Sequence, residues 1–497
     1  MYGAYRVDTW SGAIQISNVV IHGDETITGV LYKPKWIQEE APGIVLAHGI
    51  SNSKEPQTGI ALELAKHGYV TLSIDLVGHG RSSGSLDGAD QSLGMIQAAQ
   101  YLADLPFVSE NIGLVGHSLG TGAALYASSQ VLESGVVLIA GGIGDYFEEP
   151  ILQPNNLLVI IGQYDVLFDL DNIDERLEAT FPENPPMLNE INGDPVQGTM
   201  TMLLTPSTSH LLEPLDPSVV TATVDWFNQI NDIDFDYSQT YLIREALIML
   251  AFISFIVAIV VGLSLNSEIM AENGFNWRSG LIYGVVGFFS FLPAMLLGNY
   301  VPFPPQIFGS SIAWWLFIWG IIMYILCLYW RKTESIPRIT QNDLKTAAGV
   351  FVACYVYCFG LEYLFGFGYR LMVPIMRTLT LRRAKTLVIY LPFMLGHFYA
   401  ESIWLRENVN NLRGFAVSKL GLFTAIIVFQ YGGFYLLDTV LVGGFIGFIL
   451  EFLVAIVPML LISVIITHYG QRINLRGASV FLNALFFSWI AAGLFPY

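Results

Sequence analysis

Gly116-His117-Ser118-Leu119-Gly120 stands where the apolar run Asn111-Ile112-Gly113-Leu114-Val115 meets the small-residue run Thr121-Gly122-Ala123-Ala124. A strand that feeds through G-x-S-x-G into a helix forces its central serine into a strained backbone conformation. The turn aims that hydroxyl out of the sheet edge. Glycines flank the serine because a side chain there would collide with the neighbouring strand and helix. The five-residue pattern is weak by itself. Here it has a strand before it, a helix after it and partners downstream, so Ser118 is the candidate nucleophile.

A serine hydroxyl needs a base, and the base needs an orienting acid. In the α/β hydrolases, which this turn resembles, the chain order is Ser, then Asp or Glu, then His. The apolar run Leu158-Val159-Ile160-Ile161 ends in Gly162-Gln163-Tyr164-Asp165, which puts Asp165 just past a strand. Asp169 and Asp171 are rivals, but they lie further on, where the next helix should open. His210 closes the stretch Leu203-Leu204-Thr205-Pro206-Ser207-Thr208-Ser209-His210 and is the only histidine between Ser118 and residue 240. The oxyanion of a tetrahedral intermediate needs two backbone N–H donors. Leu119, after the nucleophile, is one. The strand ending Leu46-Ala47-His48-Gly49 nominates Ile50 as the other, with Gly49 allowing a close approach. The competing reading makes His48-Gly49 a simple polar turn.

Leu46-Ala47-His48-Gly49, the block Asp75-Leu76-Val77-Gly78-His79-Gly80-Arg81-Ser82 and Gly116-His117-Ser118-Leu119-Gly120 together resemble the α/β-hydrolase superfamily. The closest resemblance is to its monoacylglycerol-lipase-like and dienelactone-hydrolase-like members, over about residues 13–230. It implies an eight-stranded type of sheet, a Ser118–His210–Asp165 triad and an oxyanion hole from Ile50 and Leu119; no cofactor is expected. The block from Asp75 to Ser82 is in that superfamily a structural loop beside the active site. The superfamily also holds peptidases, thioesterases and acyltransferases, so the resemblance leaves the substrate open. Many members carry a helical cap between the sixth and seventh strands. Here that gap is only Gly142 to Asn156, a minimal cap.

The chain of 497 residues has a mean hydropathy of +0.53 and 13% charged residues. Residues 1–240 hold 31 Asp and Glu against 7 Lys and Arg; the remainder hold 10 against 16. The division reads as an acidic α/β domain over residues 1–230, a linker over 231–242 and an all-α polytopic membrane domain over 243–497. In the first part, short apolar strands alternate with helical patterns, which means a parallel sheet buried on both faces. A hairpin over residues 13–33 precedes it. The acidity excludes nucleic acid, which calls for a basic face. Cys327, Cys354 and Cys358 all lie in the second part and read as packing, with no metal site. Residues 1–13 lack the basic and apolar regions of a signal peptide. The α/β domain is then cytoplasmic, exported by its first membrane helix, or preceded by a further segment.

Eight apolar stretches come after the linker, near 243–265, 280–298, 310–329, 346–367, 386–405, 416–436, 440–467 and 478–495, each long enough for roughly 30 Å of hydrocarbon. Glu362, His397, Glu401 and Glu451 fall inside them and form a candidate intramembrane polar site, since ionisable groups there are costly. His397 and Glu401, four apart, share a helix face. The plainer reading is a set of polar groups satisfied between helices. The balance of basic loop residues puts the α/β domain outside the cell. The resulting expectation is a multi-pass, membrane-tethered serine hydrolase cleaving an ester-type bond of a lipid or amphiphile, compatible with homo- or hetero-oligomers. A serine peptidase is the alternative enzyme. A transporter or assembly subunit with a hydrolase-like binding domain is the non-enzymatic one.

Overall fold

The computed structural model describes residues 9–141 except 87 and 89, 153–234 except 166 and 169, 239–247 except 245, 276–330 except 307 and 308, 338–365, 379–406, 411–416, 460–471 and 475–494, with isolated residues 6, 250, 254 and 419. The chain divides into two compact units. One comprises mainly Met1–Ile248, and the other mainly Met249–Leu364 and Ile375–Phe495.

The first unit is built on β1 (Ile14–Ile21), β2 (Ile27–Pro34), β3 (Ala41–Ala47), β4 (Val70–Asp75), β5 (Val108–His117), β6 (Glu133–Ile139), β7 (Leu157–Ile160) and β8 (Thr201–Leu204). They form a single sheet in the order β1-β2-β4-β3-β5-β6-β7-β8. The β1–β2 and β2–β4 pairs are antiparallel; every later pair is parallel. Parallel strands need crossovers. These are α1 (Thr58–Lys66), α2 (Met95–Ala103), α3 (Leu119–Ser128) and α4 (Leu170–Thr180), with α5 (Pro217–Ile230) following β8. Two apolar clusters lie in the unit. One gathers Val45, Leu72, Leu114, Ala124, Leu138 and Val159; the other gathers Ile44, Leu46, Val115, Val137, Ile160 and Phe227. Successive strand residues therefore divide between the clusters, as expected for strands apolar on both sides.

The β6–β7 connection covers residues 140–156, and its expected cap region falls mostly on 142–152, outside the described residues. The end of the expected linker is docked. Tyr241 is fully buried in the second cluster and its hydroxyl donates to the Leu215 carbonyl at 3.0 Å. Glu63 on α1 accepts the backbone N–H groups of Thr240 and Tyr241, both at 3.0 Å. Gly59 makes room for this: a Cβ there would lie 3.0 Å from the Tyr241 ring.

In the second unit the described residues form α6 (Trp277–Tyr300), α7 (Gly309–Tyr329), α8 (Gln341–Phe365), α9 (Leu381–Trp404), α10 (Leu460–Gln471) and α11 (Arg476–Leu494). Among the described residues, two segments are long and apolar enough to cross a membrane: Trp277–Gly298 and Gly309–Tyr329, with mean hydropathies of 2.0 and 2.1. The expected spans at 243–265, 416–436 and 440–467 lie largely outside the described residues.

Candidate active site

Ser118 sits between β5 and α3 with φ 51° and ψ −116°. An L-residue is rarely found there, and holding it costs on the order of 1–3 kcal/mol. The surroundings enforce it. A Cβ at Gly116 would lie 2.1 Å from the Gly120 carbonyl oxygen, and one at Gly120 would lie 2.8 Å from the Ala47 carbonyl oxygen. Both glycines are thus consumed by the crossing of β5, α3 and the end of β3. The Ser118 N–H donates to the Ile139 carbonyl at 2.8 Å, which ties the turn to β6.

His210 and Asp165 reach the same sheet edge from β8 and β7. His210 Nε2 lies 3.0 Å from Ser118 Oγ, and His210 Nδ1 lies 2.9 Å from Asp165 Oδ2. A carboxylate only accepts, so Nδ1 carries the proton and Nε2 presents a lone pair to the serine hydroxyl. The second Asp165 oxygen accepts the N–H groups of Leu167 at 2.8 Å and Phe168 at 3.1 Å. Three bonds lace the acid turn to the histidine loop: Gln163 N–H to Pro206 at 2.9 Å, Tyr164 N–H to Thr208 at 3.0 Å, and Gly162 N–H to the buried Glu213 carboxylate at 2.5 Å. Of the rivals to Asp165, Asp169 lies outside the described residues and Asp171 lies in the first turn of α4.

Residues 44–227 match the alpha/beta hydrolase family. Solved structures similar to the chain include an esterase from Pyrococcus furiosus, at 17% identity over 44% of this chain and 94% of that one, with a TM-score of 0.36. A dienelactone hydrolase from Anabaena variabilis is 21% identical over 43% of this chain and 97% of that one, with a TM-score of 0.30. A dienelactone hydrolase-like promiscuous phosphotriesterase from metagenomic libraries is 16% identical over 45% and 99%, with a TM-score of 0.37. No curated protein matches the chain. The N-terminal half has the α/β-hydrolase fold.

Beside Ser118, the loop after β3 carries the second nominated N–H. A Cβ at Gly49 would lie 3.0 Å from Ser118 Cβ, so the loop passes directly against the serine turn. The N–H groups of Ile50 and Leu119 meet no acceptor among the described residues. Beneath the loop, Asp75 is wholly buried at the end of β4. Its carboxylate takes the Lys54 ammonium at 2.5 Å, the Lys54 N–H at 3.0 Å, the Arg81 N–H at 2.9 Å and the Thr28 hydroxyl at 2.9 Å. Burial alone would raise this carboxyl, but the Lys54 charge and the hydrogen bonds outweigh it and hold Asp75 well below the usual carboxylate range. His117 is another buried participant. Its Nε2–H donates to the His210 carbonyl at 3.0 Å, and burial, reinforced by His210, pushes its pKa down to about 3.

The sequence offered no sign of His117, Lys54 or Glu213. His117 occupies a free position of the motif. Lys54, in Asn52-Ser53-Lys54-Glu55, reads as solvated loop charge, and only the sheet order brings it onto Asp75. In the second unit His397 and Glu401 are both buried on α9. Tyr283 on α6 donates its hydroxyl to Glu401 Oε2 at 2.5 Å and lies 3.1 Å from His397 Nε2. Lys419 reaches Glu401 Oε1 at 2.8 Å and the Ser463 hydroxyl at 2.8 Å. Tyr283 and Lys419 were not legible as partners, being one aromatic and one basic residue far off in sequence. The Glu362 side chain and Glu451 lie outside the described residues.

Proposed function

We propose that the N-terminal unit is a serine hydrolase that cleaves an ester-type acyl bond through an acyl-enzyme, with Ser118 as nucleophile, His210 as base and Asp165 as its orienting acid. The observation that carries this reading is the Ser118–His210–Asp165 chain, at 3.0 and 2.9 Å, on a strained turn. Ser118 Oγ attacks the acyl carbonyl carbon as its proton passes to His210 Nε2. The carbonyl oxygen gains the electron pair and is held by the N–H groups of Ile50 and Leu119. The intermediate collapses, the C–O bond to the alcohol breaks, and His210 returns the proton to that leaving oxygen. Water then repeats the sequence on the acyl-Ser118 ester and releases the acid.

The substrate we propose is a lipid or other amphiphile, and the enzyme a multi-pass membrane protein with its hydrolase unit outside the cell. The two apolar helices of membrane length and the basic loops of the second unit support this placement. The test is labelling of the full chain by a fluorophosphonate probe, with turnover of short- and long-chain esters and of peptides. Labelling and ester hydrolysis are expected in the wild type and should disappear in Ser118→Ala, a loss of several orders of magnitude. Full labelling of that variant at another serine, or turnover of peptides but not esters, would sink the reading.

A further inference from the structure

Among the described residues, no backbone-to-backbone hydrogen bond braces residues 48–53, the loop that bears the Ile50 N–H. Ser51, a residue with a side chain, has φ 57°. Such a backbone relaxes unless its neighbours fix it. The fixing groups are two buried histidines. His48 is fully buried, and its Nε2 lies 3.1 Å from the Leu76 N–H, which can only donate. Nε2 therefore carries the lone pair and Nδ1 the proton. That Nδ1–H lies 2.7 Å from the Gly49 carbonyl oxygen, which can only accept. The tautomer is set by the partners at both ends of the ring.

Gly49 C=O and Ile50 N–H belong to one planar peptide unit and point in opposite directions. A donor that pins the carbonyl pins the N–H as well. His79 repeats the device one peptide further on. Its Nε2 accepts the Ser51 N–H at 3.3 Å, and its Nδ1–H donates to the Val77 carbonyl at 3.0 Å. The two rings meet edge to face at 5.1 Å. Leu76 and Val77 directly follow β4, so the loop after β3 is referenced to the neighbouring strand.

We propose that His48 is a positioning residue for the oxyanion donor Ile50 N–H, with His79 holding the following peptide. The proposal rests on the acyl-transfer reading of Ser118. A donor that matters only once negative charge forms on the acyl oxygen affects the transition state and leaves ground-state ester binding alone. Loss of its alignment should then appear in kcat and not in KM.

The experiment compares His48→Gln with His48→Asn in the full chain, using a p-nitrophenyl ester and a trifluoromethyl ketone inhibitor. The Asn amide nitrogen takes the place of Nδ1 and can still reach the Gly49 carbonyl; the Gln amide nitrogen takes the place of Nε2 and cannot. His48→Gln should lose about 10²-fold in kcat with KM within about twofold, as for loss of one oxyanion donor. The inhibitor, which forms an oxyanion adduct on Ser118, should weaken by the same factor. His48→Asn should recover at least about tenfold of both. Equal losses in the two variants, or a rise in KM with an unchanged inhibitor constant, would show a merely structural role and overturn the proposal. If His48→Gln does not fold, the His79 pair makes the comparison in reverse, because the loop contact of His79 is at Nε2 and Nδ1 faces Val77: His79→Asn should lose about tenfold in kcat, and His79→Gln, whose amide oxygen takes the place of Nε2, should recover it; equal kcat in the two would be equally adverse. A wild type that neither turns over ester nor labels at Ser118 overturns the acyl-transfer reading itself. An active wild type with an unimpaired His48→Gln overturns this inference alone.

Discussion

At the scale of single residues, the site is surrounded by buried groups that must stay in one protonation state, and this sets its acid limit. His117 is wholly buried against the His210 backbone, with its pKa near 3 against about 6.5 when unfolded. Between those values the unfolded chain takes up a proton that the folded chain refuses. Stability is therefore fully present above about pH 6.5 and falls on acidification toward pH 3, by about 1.4 kcal/mol per unit. His117→Gln keeps an amide donor for the His210 carbonyl without the titration. Its thermal midpoint between pH 7 and pH 4 should fall less steeply than that of the wild type; parallel slopes would refute the assignment. What the sequence disclosed at this scale has a physical basis. Ser118, Asp165 and His210 were legible because each lies just beyond the end of a strand and their order follows the chain. His117, Lys54 and Glu213 act through contacts between residues remote in sequence, and nothing in their local context marks them.

At the scale of elements, β3, β4 and β5 end side by side at the site, and the Lys54–Asp75 pair is the bolt between the loop after β3 and the end of β4. The ammonium and carboxylate are 2.5 Å apart and both are buried. Such a pair adds little over an apolar replacement of both partners, but removing one leaves an uncompensated charge. Lys54→Met should cost about 3–5 kcal/mol in the hydrolase unit, seen as a lower denaturation midpoint. The Asp75 carboxyl is held low in the folded state, so its contribution is present above about pH 4 and is lost as pH falls through the folded value. Lys54→Met should be nearly pH-independent below that point, since Asp75 then protonates. A midpoint unchanged at pH 7 would refute the bolt. The sheet itself was legible because its strands are short, apolar runs separated by helical patterns. Strand limits shifted by one to three residues, as for β5, which begins at Val108 before its apolar core. The docking of Thr240 and Tyr241 on α1 was hidden, because Asn231 to Asp236 is polar enough to read as linker throughout and the burial of Tyr241 depends on Gly59.

At the scale of the whole molecule, the chain joins an acidic unit of α/β-hydrolase fold to a helical unit with two described helices apolar enough for a bilayer. A tether needs one such helix, so the excess asks for a use. The expectation is that the second unit biases the enzyme toward amphiphilic substrates, with about 0.8 kcal/mol of binding per buried methylene. The comparison is kcat/KM over esters of increasing chain length, for the full chain in nanodiscs and for residues 1–248 alone. The shorter chain must extend past residue 240, because Tyr241 is buried in the first unit and Glu63 accepts the N–H groups of Thr240 and Tyr241. A chain cut at 235 would lose that packing and report its own instability. The full chain should gain up to about fourfold in kcat/KM per added methylene until the acyl chain is enclosed, since each buries about 0.8 kcal/mol. Residues 1–248 should show a flatter series. Identical series in the two would mean that the helices serve a separate activity, and that the apolar selectivity, if any, resides in the hydrolase unit.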